Sequence, residues 1–179
     1  MKRFLLVGLL VCIVQSCGTV KIPEGETTYE TPCSGDEYTS NNKFYRASAQ
    51  AVSNSSSGAT KAARRKAEAE LISDIKNTIT LVSDLYESNI ESGDIGEYNS
   101  LELDFSRKIA SGSLKNLSVI CQKTTKVSST GMYKHYISIE MSAKDVVDDF
   151  VASLSKSEKN SIRSNSEKMR AIFDEVTRN

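Results

Sequence analysis

Four cysteines and a single histidine carry most of the chemistry open to this chain of 179 residues. A nucleophile system of the Ser–His or Cys–His kind could be built only around His135, because no second histidine is present. His135 falls in an alternating run with Ile137 and Ile139, where a lone imidazole is more often a hydrogen-bonded core residue than a catalyst. Cys33, Cys121 and His135 contain three metal-ligand types, but no close-spaced ligand pair of a metal site joins them. The turn Gly93-Asp94-Ile95-Gly96-Glu97 lacks the alternating carboxylates of a calcium loop. Gly58 stands alone in its turn, without a phosphate-cradling glycine pattern. We therefore expect no catalytic residue, no bound metal and no cofactor.

Cys17 is different, because its surroundings predict a modification. Lys2 and Arg3 precede an apolar stretch from Phe4 to Val14, followed by Gln15-Ser16-Cys17-Gly18, which is the layout of a secretory signal peptide. As a helix that stretch would span about 16 Å, against roughly 30 Å of bilayer hydrocarbon, so a permanent transmembrane helix is the weaker alternative. Val14-Gln15-Ser16-Cys17-Gly18 resembles the lipobox of bacterial lipoproteins. The resemblance implies removal of residues 1–16 and a lipid on Cys17. The plainer alternative is ordinary secretory cleavage near Ser16 or Gly18, with Cys17 an incidental thiol. Each buried methylene contributes about 0.8 kcal/mol, so two or three acyl chains hold such a protein stably on a membrane.

Removing 16 of 179 residues leaves 163, enough for one domain of ordinary size. Lys2 and Arg3 leave with that segment, so a formal net charge of +0 becomes −2, and no electrostatic case for nucleic acid remains. Cys12 leaves as well and Cys17 is acylated, so Cys33 and Cys121 are the only free thiols in a disulfide-permissive compartment. A bridge between them would close a loop of about 89 residues, for which the chain-entropy model gives an upper figure of roughly 4 to 5 kcal/mol. Two buried, reduced cysteines are the alternative.

Residues 17–42 are polar, contain both prolines, Pro23 and Pro32, and lack hydrophobic periodicity, so they read as a tether. Residues 43–179 read as a single domain. Phe44 to Ser53 predicts a strand with Tyr45, Ala47, Ala49 and Ala51 on one face. A long helix is expected from about Ala59 to Glu87, with Leu71, Ile75, Ile79, Val82 and Tyr86 in one stripe and Ala59, Ala63 and Ala67 extending it upstream. Tyr98, Leu101, Phe105 and Ile109 predict a second helix, with Gly112 as its stop. Leu117 to Val127, with Val119 and Cys121 on one face, then pairs across Ser128-Ser129-Thr130-Gly131 with the alternating run from Tyr133 to Met141. Ser142, with Asp145 three residues on, should cap a helix carrying Val147, Phe150, Val151 and Leu154. Met169, Ile172, Phe173 and Val176 mark a terminal helix. The order strand, helix, helix, strand, strand, helix, helix predicts an α+β fold, a small and mainly antiparallel sheet with helices on one face.

Two segments carry a further resemblance: Phe44-Tyr45-Arg46-Ala47-Ser48-Ala49-Gln50-Ala51, and the Ala-rich helix Ala62-Ala63-Arg64-Arg65-Lys66-Ala67-Glu68-Ala69-Glu70-Leu71. They resemble a family of bacterial envelope lipoproteins named after a twenty-kilodalton lipoprotein antigen and related to the N-terminal domain of a flagellar basal-body ring protein. The resemblance covers roughly residues 43–150. Pro32-Cys33-Ser34-Gly35, Ile120-Cys121-Gln122-Lys123 and Glu167-Lys168-Met169-Arg170 look like a gut-commensal subgroup. It brings no catalytic residues. In that subgroup, surface export is associated with acidic residues just behind the anchoring cysteine, and Gly18 to Pro23 contain none. The resemblance therefore implies an outer-membrane lipoprotein facing the periplasm.

The basic cluster Lys61, Arg64, Arg65 and Lys66 reads first as a solvated face with Arg64–Glu68 and Lys66–Glu70 pairs, and second as a patch for anionic lipid or an acidic partner. We expect a non-catalytic structural or interaction module that contacts another envelope protein or the cell wall. The alternative is a binding protein for a small envelope ligand, using a pocket between the sheet and the long helix, which a deep apolar cavity beside Tyr133 or Tyr136 would favour and a filled core would count against; a hydrolase-type enzyme stands third.

Overall fold

The computed structural model describes residues 30–88, 90, 92–111, 116–164 and 166–177. The expected signal peptide, Cys17, most of the expected tether, and Gly112 lie outside the described residues. No helix among the described residues is long and apolar enough to cross a membrane. From Thr31 onward the chain forms one compact unit.

The chain enters its first strand through Asn41, whose side-chain oxygen accepts from the backbone of Lys43 and Phe44 and turns the chain. Strand β1, Phe44–Ser53, is followed by helix α1, Ser56–Glu87. The helix starts three residues earlier than its apolar stripe suggests, because the Ser55 hydroxyl accepts from the amide of Gly58 and caps it. Helix α2 spans Ile95–Ala110, strand β2 Ser118–Lys126, strand β3 Tyr133–Ser142 and helix α3 Ala143–Leu154. A short helix α4, Asn160–Ser164, absent from the sequence expectation, precedes α5, Ser166–Val176. Ser142 caps α3 through the amide of Asp145 as expected.

The three strands form one antiparallel sheet in the order β1-β3-β2. This is the α+β fold the periodicities predict. Helix α1 lies across β1 and β3, α2 and α5 pack against α1, and α3 packs against α2 and α5. Alanines make the close approach of α1 to the sheet possible: Ala63 and Ala67 are fully buried, and Ala47 and Ala51 nearly so. Farther along α1, Leu71, Ile75 and Ile79 fill the wider space together with Ile137, Ile139 and Phe150. Tyr86 packs against Tyr98 with the rings tilted and their centroids 5.5 Å apart, fixing α2 against the end of α1.

One expectation is corrected by the register. Val119 pairs with Ile139, whereas Cys121 pairs with Ser138, because a bulge falls between them. The extra residue reverses the alternation, so Val119 and Cys121 point to opposite faces of the sheet rather than to one. Cys121 therefore sits on the face away from α1. The hairpin turn closes on Val127, whose carbonyl accepts from the amide of Gly131, and the φ of +68° at Gly131 suits a residue without a Cβ.

Candidate functional site

The face of the sheet away from α1 is polar, and the start of the compact unit lies on it. Cys33 is bonded to Cys121, with the two Cα atoms 5.5 Å apart. At its other end the same segment is held by Ser40, whose hydroxyl accepts from the Arg46 amide and donates to the Arg46 carbonyl. Arg46 also donates to the Thr39 carbonyl and pairs at 2.9 Å with its cross-strand neighbour Glu140. Residues 31–40 thus form a strap along β1, pinned at both ends, with a single 3-10 turn at Asp36–Tyr38. Under the strap Ser138 is fully buried, and neither its hydroxyl nor that of its pair partner Ser48 has a hydrogen-bond partner among the described residues. The part of the expected tether from Thr31 to Asn42 accordingly belongs to the folded unit. Cys33 is 6% exposed and adopts a φ of +58°, the left-handed region that a non-glycine residue enters at some cost.

His135 lies on the opposite face, at 3% exposure. Its Nδ1 sits 2.7 Å from the Thr124 hydroxyl on β2 and 3.3 Å from the Thr60 hydroxyl on α1. Nε2 is buried without a partner among the described residues, and burial holds the imidazole below its ordinary pKa. With two threonine hydroxyls as its neighbours, the ring is placed to tie helix to hairpin. Asp94, in the turn weighed as a calcium loop, instead accepts from Ser161 and pairs with Lys159, fastening the α4 segment to the start of α2. Those two contacts and the Ser161 hydroxyl in particular hold its carboxyl below the usual range. Glu97 likewise bonds to Ser157. No cluster of three metal-ligating side chains occurs among the described residues.

Three grooves indent the surface around the sheet. One of about 390 Å³ lies between the strap, β1 and α1, beside Arg46, Glu70 and Asp74. Another of about 410 Å³ lies where β1 begins and α3 and α5 meet, floored by Phe44, Val147 and Phe173. The groove beside Tyr136 is smaller, about 180 Å³, and runs under Pro32 and Cys33.

No protein-family model, curated protein or solved structure matches this chain.

Among the expected site residues the structure therefore joins Cys33 to Cys121 and places His135 apart from them across the sheet. The basic residues Lys61, Arg64, Arg65 and Lys66 are exposed on α1, with Arg64 paired to Glu68 at 2.8 Å. The strap itself escaped the sequence reading because its contacts are hydroxyl and backbone bonds, which leave no hydrophobic period. The Cys33–Cys121 pair was its one visible signal.

Proposed function

We propose that this protein is a lipid-anchored envelope protein whose folded unit is a non-catalytic interaction module, carried on the periplasmic side of an outer membrane. The Cys33–Cys121 bond supports it most directly. A structural disulfide suits an oxidising, extracytoplasmic compartment, as the signal-like N-terminus also requires. Cys17 and Cys33 are 16 residues apart, so the chain between them can reach at most about 55 Å even when fully extended. A bond at Cys33 transmits the anchor straight into the sheet rather than into a free strand end. The family resemblance of residues 43–150 belongs to the same proposal.

The space between α1 and the sheet favours this reading over a small-ligand carrier. Ala63, Ala67, Leu71, Ile75, Ile137 and Ile139 fill it, each at most 2% exposed. Leu81 and Leu85, one turn apart on α1, and Leu103 on α2 are about half exposed, and such apolar groups suit contact with another envelope protein. Crosslinking in intact envelopes with a photoreactive residue at Leu81 or Leu103 tests the module. One discrete adduct whose yield falls in Leu85→Asp supports it, and uniform, position-independent labelling refutes it.

A further inference from the structure

The charges of the folded unit are distributed unevenly. Lys61, Arg64, Arg65 and Lys66 project from the first turns of α1, all of them exposed. The β2–β3 hairpin brings Lys123, Lys126 and Lys134 to the same end, because Thr60 of α1 meets His135, the register partner of Ala51 and Thr124. Segments 54–70 and 118–136 contain only two carboxylates, Glu68 and Glu70, against those seven cations, a net of +5 in a chain of formal net charge +0. Glu68 is already engaged by Arg64.

Apolar and aromatic groups are interleaved with these cations. Val52, the register partner of Lys134, is 48% exposed. The Lys126 and Lys134 ammonium groups lie 5.7 Å and 5.0 Å from the ring centres of Tyr133 and Tyr136. The strap begins on this half of the sheet as well, since Thr31 and Pro32 lie against Gln50 and Tyr136, two register positions from Val52 and Lys134. Thr31, where the compact unit begins, thus lies beside the basic end.

We propose that this hairpin end is a docking surface for the anionic phospholipid headgroups of the membrane that carries the anchor. The cations lie on both faces of the sheet end and on the flank of a helix rather than lining one groove. That layout suits a laterally mobile array of phosphates better than a protein partner of fixed shape. Clustered Lys and Arg beside a bilayer are attracted to anionic lipid, and Tyr and Val among them suit the headgroup boundary. An anchor held within reach keeps the effective lipid concentration high, so even a weak patch is occupied. The inference rests on the lipid-anchor reading.

The test uses the full mature, lipidated chain carrying Ser129→Cys at the exposed hairpin turn, labelled with a fluorophore and incorporated into vesicles with a headgroup-attached quencher. Vesicles of phosphatidylcholine alone are compared with vesicles about one-third phosphatidylglycerol. Quenching should be at least about threefold stronger on the anionic vesicles in 0.1 M salt, and should fall to the neutral level in 1 M salt, where the screening length shrinks from about 10 Å to about 3 Å. The triple variant Lys123→Gln, Lys126→Gln, Lys134→Gln should lose the enhancement while remaining vesicle-bound. Arg65→Gln with Lys66→Gln, which leaves the hairpin untouched, should lose part of it. Equal quenching on both vesicle types, or an enhancement indifferent to salt and to the variants, overturns the docking surface and leaves an acidic protein as the patch's partner. A chain that binds neither vesicle type refutes the anchor instead.

Discussion

Cys33 and Cys121 are 88 residues apart in the chain yet bonded, with Ser138, the register partner of Cys121, fully buried at mid-sheet. The bond is what converts a polar segment without periodicity into a strap. Cys33→Ser with Cys121→Ser should lower unfolding stability by about 2 to 4 kcal/mol, below the loop-entropy limit because denatured chains retain structure. Denaturant titration of the oxidised wild type against the variant measures this. In the native wild type neither thiol should react with an alkylating agent until reduced, and ready labelling of both would contradict the bond.

The alanine contact between α1 and β1 predicts a steric penalty. Ala63 and Ala67 are fully buried against a sheet face that also presents Ala47 and Ala51. Ala63→Leu should therefore destabilise by about 1 to 3 kcal/mol, since added methylenes in a close-packed contact force backbone shifts. An equal change at exposed Ala69 should be within about 0.5 kcal/mol of wild type. Thermal unfolding of the two variants separates packing from helix propensity.

Gly58 makes a subtler case. A Cβ there would lie 2.5 Å from the Ser53 hydroxyl and 2.8 Å from that of Ser55, the helix cap. Alanine ordinarily gains about 1 kcal/mol over glycine within a helix. Here that gain is offset by displacement of the cap, which costs about as much. Gly58→Ala should therefore not stabilise the protein, while Gly58→Ala combined with Ser53→Ala should recover part of the propensity gain. Stabilisation by Gly58→Ala alone would show that the serines move aside freely.

His135 sets a pH dependence. Burial lowers its folded pKa beneath the ordinary 6.5, so the unfolded chain takes up the proton first. Stability contributed by the neutral ring is complete above about pH 6.5 and declines as pH falls from there toward the lower folded value. Asp94 and Asp148, whose carboxyls are held low by Ser161 and by Lys144 with Arg170, give stability that is intact above about pH 4 and is lost only below it, so they add no slope at higher pH. Between pH 7.5 and pH 5.5 the unfolding free energy should therefore fall in wild type and stay flatter in His135→Gln. Parallel pH profiles for the two proteins would assign the dependence elsewhere.

Much of the fold was legible because its core is periodic. Leu71 through Tyr86 fixed α1, and Tyr133 through Met141 fixed β3, since steps of three and four or of two each leave one buried face. The bulge between Val119 and Cys121 was not legible, because an inserted residue leaves no mark in a run where Ile120 is as apolar as its neighbours. Helix α4 was missed for a related reason: its five residues present one buried apolar side chain, Ile162, and its position depends on Asp94 and Ser161 meeting across the fold. The basic end was half visible, since Lys61 to Lys66 are adjacent in sequence but Lys123, Lys126 and Lys134 join them only through the sheet.

Residues behind Cys17 are proposed to hang from a membrane by lipid, with the chain stapled into the sheet at Cys33. Intact mass determination on the protein extracted from the membrane fraction tests it most directly. The expected product is a chain beginning at Cys17, heavier than residues 17–179 by a diacylglycerol or by that group plus a third acyl chain, and lighter by the two hydrogens lost to the Cys33–Cys121 bond. A chain that begins elsewhere, or an unmodified Cys17 in a soluble fraction, would contradict it.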